Sequence, residues 1–259
     1  MTDNLKGKRI LVVGASSGIG AATARAAVRA GAEVTVSARR AQMLDALVAE
    51  MGAGTAIAGD ATDRQAVEAI VTGAVNAMGG LDLAIYAAGV GVLQPLADCD
   101  PDTWSSVYAV NVIGANLFAG ACIEHLGREG LFAFVSSRTA EDNNAYFSAY
   151  SASKAALDHC IRTWRIEHPD RRFVRVQMGN CAPTEFANHM GEAYFGQALE
   201  RWVKQGIPGG IMLVDDVAEA LLKALAVSLA HPEIDAPELR LDARADQGIA
   251  LTDTNPYDT

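Results

Sequence analysis

Residues 8–30 read KRILVVGASSGIGAATARAAVRA, and this stretch decides the fold. Ile10, Leu11, Val12 and Val13 form the continuous apolar run of a strand buried on both faces. Gly14-Ala15-Ser16-Ser17-Gly18-Ile19-Gly20 follows, and then an alanine-rich helical stretch to about Ala30, with Gly31 as its stop. Strand, glycine turn and helix in this order make an anion-binding arrangement. Gly14 permits the sharp turn, Gly18 and Gly20 let backbone approach a pyrophosphate, and the helix N-terminus favours its charge. The spacing G-x3-G-x-G is not the common G-x-G-x-x-G. Gly14-Ala15-Ser16-Ser17-Gly18 also matches G-x-S-x-G, the nucleophile elbow of serine hydrolases. That elbow needs an acid and then a histidine at later strand ends. His231 is the best candidate, and a weak one.

Outward from this stretch the chain alternates. Strands are expected at Glu33 to Ala38, Thr55 to Ala58, Leu81 to Tyr86, Leu131 to Ser136, Phe173 to Met178 and Leu239 to Leu241. Helices are expected from Arg39-Arg40 to Met51 and from Asp63 to Met78. Others start at Asp102, carry Asn111-Val112-Ile113-Gly114 to near Gly127, run from Tyr150 to Glu167, and span Val214 to Leu229. This spacing implies βαβ units: an α/β, doubly wound fold of about seven parallel strands with helices on both faces. With no repeat, linker or composition break, residues 1–259 read as one domain with its core at about 6–242. Residues 180–210 read as a lid, and 243–259 as a polar, acidic tail or an arm to a neighbouring subunit.

Composition narrows the function. The formal net charge is −10, which argues against general nucleic-acid or anionic-membrane binding. The basic stretch Arg162 to Arg175 reads as a solvated helix end or a subunit contact. Cys99, Cys122, Cys160 and Cys181 make no CxxC pair, which suits reduced thiols, and the five histidines form no metal cluster. Residues 1–9 lack a signal-peptide core, and no apolar run reaches a membrane span of about 18 residues. A soluble cytoplasmic protein is expected.

One pentapeptide carries chemistry: Tyr150-Ser151-Ala152-Ser153-Lys154. Four residues apart, tyrosine and lysine share a helical face. A nearby ammonium lowers a phenol's pKa, so this tyrosine can give a proton to a carbonyl oxygen or take one from an alcohol. An exposed helical pair is the alternative. Ser151-x-x-Lys154 matches an acylation motif but lacks its S-D-N and K-T-G partners.

Four features in this order resemble the short-chain dehydrogenase/reductase family: Gly14-x3-Gly18-Ile19-Gly20, Asn111, Ser137, and Tyr150-x3-Lys154. Ser137 lies thirteen residues before Tyr150, as in the family. The resemblance implies a carbonyl/alcohol oxidoreductase with a homotetramer or homodimer built on helices around Ala115 and Ala152. Tyr150 would be the acid/base, and Lys154 would tune it and hold the nicotinamide ribose. Ser137 would hold the substrate oxygen, and Asn111 would order a proton-relay water. The second strand ends Ser37-Ala38-Arg39-Arg40 without a carboxylate, and a guanidinium suits a 2'-phosphate. Arg39, with Arg40 assisting, therefore implies NADP. The cofactor set is completed by Ser16, Ser17, Asp60, Ala61, Ala88, Gly89, Pro183 and Thr184.

The sequence departs from the family in places. Asn-Asn-Ala-Gly is here Tyr86-Ala87-Ala88-Gly89, and Pro-Gly after the sixth strand is missing. Arg138 stands where smaller residues are common, and is read as pairing with Glu141 or Asp142 rather than with an acidic substrate. Substrate contacts are expected from Gly91 to Gln94, Thr139 to Phe147 and Met190 to Phe195. The alternatives are a non-catalytic NADP-binding regulator and, more distantly, a serine hydrolase acting through Ser16 or Ser151.

Overall fold

The structure, a computed structural model, describes residues 5–186, 190–207 and 209–244. β1 (Arg9–Val13) runs through the glycine loop into α1 (Gly18–Arg29), and β2 (Glu33–Ala38) into α2 (Ala41–Met51). β3 (Thr55–Ala58), α3 (Arg64–Met78) and β4 (Leu81–Tyr86) follow. α4 (Pro101–Tyr108), a π-helical segment (Ala109–Gly114) and α5 (Ala115–Cys122) form one continuous helix. Next come β5 (Leu126–Ser137), α6 (Ser148–Glu167) and β6 (Arg172–Met178). The short strands β7 (Cys181–Ala182) and β8 (Met212–Leu213) pair with each other on either side of α7 (Phe195–Lys204). α8 (Val214–Ala230) and β9 (Glu238–Leu241) complete the chain.

Seven strands form a parallel sheet in the order β3-β2-β1-β4-β5-β6-β9. The two-residue period of the strands divides the core. Ile10 and Val12 point to α1, α2 and α8, while Leu11 and Val13 point to α3, α5 and α6. Each fully buried aliphatic side chain contributes about 1.5–3 kcal/mol, so an apolar run facing both layers stabilises twice what an alternating strand would. Alanines at 22 and 218 let α1 and α8 pack closely. Local chemistry sets the ends. Asp63 and Asp100 accept from the amides of Ala66 and Thr103, each at 2.7 Å, and Gly52 and Gly79 close their helices in the left-handed region. Arg9 grips Asp82 through its amide and guanidinium at 2.7–2.9 Å, tying the starts of β1 and β4.

Some boundaries differ from expectation. The helix expected to reach Gly127 ends at Cys122, and β5 begins at Leu126, because Leu126 already pairs with Leu81 across a register shift. The helix Pro101–Cys122 is long and apolar enough, by length and composition, to cross a membrane, contrary to the expectation of no such run. It packs instead against α3 and α6. The arginines expected at a solvated helix end or a subunit contact are mostly engaged within the chain: Arg165 and Arg172 donate to the Phe173 and Ser228 carbonyls at 2.7 Å. Of the expected tail, residues 245–259 lie outside the described residues, as do 187–189 and 208 of the expected lid.

Gly14 has φ +84°, and a Cβ there would lie 2.4 Å from the Ala88 nitrogen. Gly52 has φ +68° with open space around it. Gly14→Ala is therefore expected to lose at least about 3 kcal/mol of stability, from overpacking added to backbone strain. Gly52→Ala should lose only about 1 kcal/mol. Urea denaturation of the two variants checks the difference.

Candidate active site

Beyond β1 the strand order reverses, and a crevice opens between the carboxyl ends of β1 and β4. A cavity of about 660 Å³ occupies it. Gly14, Ser16, Ser17, Gly18, Ile19 and Gly20 form one wall. Arg39, Arg40, Asp60, Ala61, Ala88 and Gly89 extend that wall, and Ser137, Tyr150, Lys154 and Thr184 also line the cavity. Pro183 does not line it; its neighbour Thr184 does, approaching Gly18. Asn111 stands behind the wall and is fully buried.

Ser137 ends β5, and α6 presents Tyr150 and Lys154 to it. The Ser137 hydroxyl accepts from the amide and hydroxyl of Thr139, at 3.2 and 2.9 Å, and shares the cavity with the Tyr150 phenol. Burial pushes the Tyr150 phenol above its ordinary value, and only Ser137 works against that. The expected lowering by Lys154 is not found, because the ammonium turns elsewhere. It donates to the Val135 carbonyl at 2.9 Å and lies 5.7 Å from the Tyr150 ring centre. Burial lowers the Lys154 ammonium to about 8, and Asp158, one turn further along α6, holds it up.

Asp158 is a functional neighbour that the sequence reading missed. Its carboxylate accepts from Ser136 and, at 2.6 Å, from Arg175, while burial pushes its own pKa up. Arg175 also bonds Glu141 and Glu238. The signal was present as a carboxylate four residues after Lys154 on one helix face. Arg138 pairs with Asp142 at 2.8 Å and Asp242 at 2.9 Å; Glu141 instead serves Arg175.

Asn111 sits in the π-helical segment and acts as a strut. Its Oδ1 accepts from the Val90 amide, and its Nδ2 donates to the Val90 carbonyl and to Ser153 Oγ, all at 2.9 Å. Ser153 in turn donates to the Tyr150 carbonyl at 2.7 Å. The side chain expected to order a relay water is thus already committed to joining the loop after β4 to α6. Tyr86 replaces the usual asparagine and donates its hydroxyl to the Val110 carbonyl at 2.7 Å, satisfying an acceptor next to Asn111.

At the other end of the crevice, Arg40 is more engaged than Arg39. It donates to Ser16 Oγ at 2.8 Å and Ser17 Oγ at 3.2 Å, and pairs with Glu185 at 2.6 Å across the mouth. It also stands at the N-terminus of α2, where no side chain caps the helix. Unpaired helix amides and two guanidinium groups at one place attract an anion. The Asp60 carboxyl is held below its usual range by the amide and hydroxyl of Thr62. A Cβ at Gly14 or Gly20 would come within 2.4 or 2.3 Å of backbone, so glycine lets the turn close tightly at the head of α1, where no side chain caps the helix and an anion is favoured. The hydrolase reading finds no support. No described histidine lines the cavity, Ser16 is held by Arg40, and the buried Ser151 hydroxyl has no partner among the described residues.

Sheet order, glycine cradle and crevice together define a Rossmann-type dinucleotide-binding protein. Comparison with known proteins narrows this. The family model described as short chain dehydrogenase matches residues 8–195, so the chain belongs to that family. It is 30% identical over 227 residues to L-xylulose reductase of Mesocricetus auratus, covering 86% of this chain and 90% of that protein. It is 32% identical over 231 residues to glycine betaine reductase ATRR of Emericella nidulans, covering 85% of this chain but spanning only 18% of that relative's length. A short chain dehydrogenase from Burkholderia cenocepacia J2315, solved in complex with NADP, is similar at TM-score 0.79 and 30% identity, over 94% of this chain and 99% of that one.

The buried Lys154 makes stability depend on pH. Its folded pKa of about 8 lies below 10.5, so between these values the unfolded chain binds a proton that the folded chain does not. Stability from this group rises with pH across that window, and the burial penalty is complete below it. Lys154→Met is therefore expected to melt above wild type at pH 7, with the gap closing by pH 10. Calorimetry at pH 7, 8.5 and 10 reads it.

Proposed function

We propose that this protein is an NADP(H)-dependent oxidoreductase that interconverts a ketone or aldehyde with the corresponding alcohol, with Tyr150 as general acid/base. One observation carries the reading: Ser137, Tyr150 and the buried Lys154 line one cavity, the last two a turn apart on α6. When bound, the nicotinamide supplies or accepts the hydride. The chain's own residues handle the oxygen and its proton. Ser137, steadied by two donors from Thr139, bonds the substrate oxygen. Tyr150 passes its proton to that oxygen in reduction. A phenol pushed up by burial keeps its proton at neutral pH, which is the form reduction requires. Lys154 is held in place by the Val135 carbonyl, and Asp158 with Arg175 keeps a countercharge one turn away. The ammonium is thereby available to a ribose hydroxyl and to the phenolate formed on proton transfer.

The preference for NADP rests on Arg39 and Arg40 at the mouth, where no carboxylate ends β2 to receive ribose hydroxyls. A 2'-phosphate would compete with Glu185 for Arg40. That exposed ion pair costs little to break.

Reduction of a ketone and aldehyde panel, followed by NADPH absorbance, tests the activity. Tyr150→Phe is expected to lower kcat by roughly 10²–10⁴-fold. Equal rates in variant and wild type, or no turnover across the panel, would overturn the reading. Arg40→Ala is expected to raise the KM for NADPH about tenfold, the loss of one charge-assisted bond, and leave that for NADH unchanged. Equal effects on both cofactors would remove the case for NADP.

A further inference from the structure

α7 carries an apolar stripe at helical spacing, Phe195, Leu199, Trp202 and Val203, while Glu200, Arg201 and Lys204 are exposed. The stripe lines the cavity that also holds Ser137 and Tyr150. Its members divide. Phe195 and Trp202 pack against the buried group of Leu93, Phe147, Tyr150 and Ala198, in which Phe147 stacks on the Tyr150 ring with centres 4.4 Å apart. Leu199 and Val203 line the cavity but take no part in that cluster, and Val203 is 57% exposed. Apolar side chains kept from the core and presented to a cavity form a wall that gains from being covered.

The wall is fastened in place. The Trp202 indole N–H donates to the Ala145 carbonyl at 2.7 Å, and Gln205 bonds the Asn143 carbonyl at 2.8 Å and the Ala145 amide at 3.2 Å. The Leu93 amide donates to the Met190 carbonyl at 2.8 Å, which ties the start of the same segment to the loop after β4. Charge lies elsewhere. Among the described residues lining the cavity, Arg39, Arg40, Asp60 and Glu185 belong to the cofactor end, and Lys154 stands a turn from Tyr150 on α6; none comes from α7. Arg138, the cation next to Ser137, pairs with Asp142 and Asp242 and does not line the cavity. A carboxylate or phosphate seated against α7 would lose its hydration and meet no cation, and a row of hydroxyls would lose partners in the same way. A hydrocarbon body loses nothing there and covers Leu199 and Val203.

We propose that the site takes an uncharged carbonyl compound whose body beyond the carbonyl is hydrocarbon, seated against the apolar stripe of α7, with Leu199 as a specificity-determining contact. The inference rests on the oxidoreductase reading and gives it a substrate class. That class differs from the ketose named for the L-xylulose reductase relative.

The test compares kcat/KM with NADPH for 2-butanone, 2-hexanone and 2-octanone, for 7-oxooctanoate, in which a carboxylate replaces the terminal methyl of 2-octanone, and for L-xylulose. In wild type the value is expected to rise about threefold per methylene along the ketone series. The acid and the ketose are each expected at least about tenfold below 2-octanone. Leu199→Lys sets a cation on the wall and should reverse the order of 2-octanone and 7-oxooctanoate. Leu199→Ala should lower the ratio of 2-octanone to 2-butanone at least about threefold. Each readout is a ratio within one preparation, so loss of folded protein does not move it. A flat ketone series, an acid or ketose equal to 2-octanone in wild type, or an order unmoved by Leu199→Lys overturns the proposal while the oxidoreductase reading stands. Saturation-transfer NMR of the same compounds with protein and NADP reads binding without turnover. Binding with the expected preference but no turnover overturns only the oxidoreductase reading; neither binding nor turnover overturns both.

Discussion

Close approach of backbone to backbone at the end of β1 is the constraint on which the rest depends. A side chain at Gly14 would strike Ala88, and one at Gly20 would strike the Gly14 carbonyl. The first contact seats the loop after β4 against the turn after β1. The second bends the start of α1 over the same turn. Together they bring the helix amides, the end of β4 and, through Asn111, the helix α6 that carries Tyr150 and Lys154 to one crevice. The aliphatic core makes this possible rather than specifying it. Many side chains can fill two helical layers, but only glycine allows these distances.

A buried cation needs a countercharge placed where it will not seal the site. Lys154 and Asp158 stand on one face of α6, and the carboxylate, which does not line the cavity, is held by Ser136 and Arg175. The tyrosine proposed as acid/base therefore stands beside a lysine whose charge is tuned from behind. This explains why removing Asp158 would act on the site although its side chain bonds Ser136 and Arg175 rather than the reacting groups. It also gives Arg175 a different role from the solvated arginine that its sequence context suggested.

Much of the architecture was legible in the sequence because its signals are local. A four-residue apolar run, a glycine turn and an alanine-rich helix leave few alternatives, and the remaining strands repeat the pattern. The pairing of Tyr150 with Lys154 is likewise set by helical spacing. What escaped is decided by tertiary contact. Arg39 and Arg40 are equivalent by composition, and only the fold turns Arg40 toward Ser16 and Glu185. The π-helical turn carries no sequence mark of its own. Lys154 was expected to lower the phenol pKa, but burial, which spacing does not report, governs both groups.

The Tyr86 hydroxyl fills the space that a side chain at position 114 would need, standing 2.6 Å from where that Cβ would be. It also supplies the donor for Val110. A side chain at 114 would also come within 2.8 Å of the Ala61 carbonyl, so backbone as well as the tyrosine demands glycine there. Loss of the tyrosine would strand the Val110 carbonyl beside Asn111. The departure from the family pattern at β4 thus carries a condition of its own: a residue exchanged at 86 must bring a donor for the turn that Asn111 occupies.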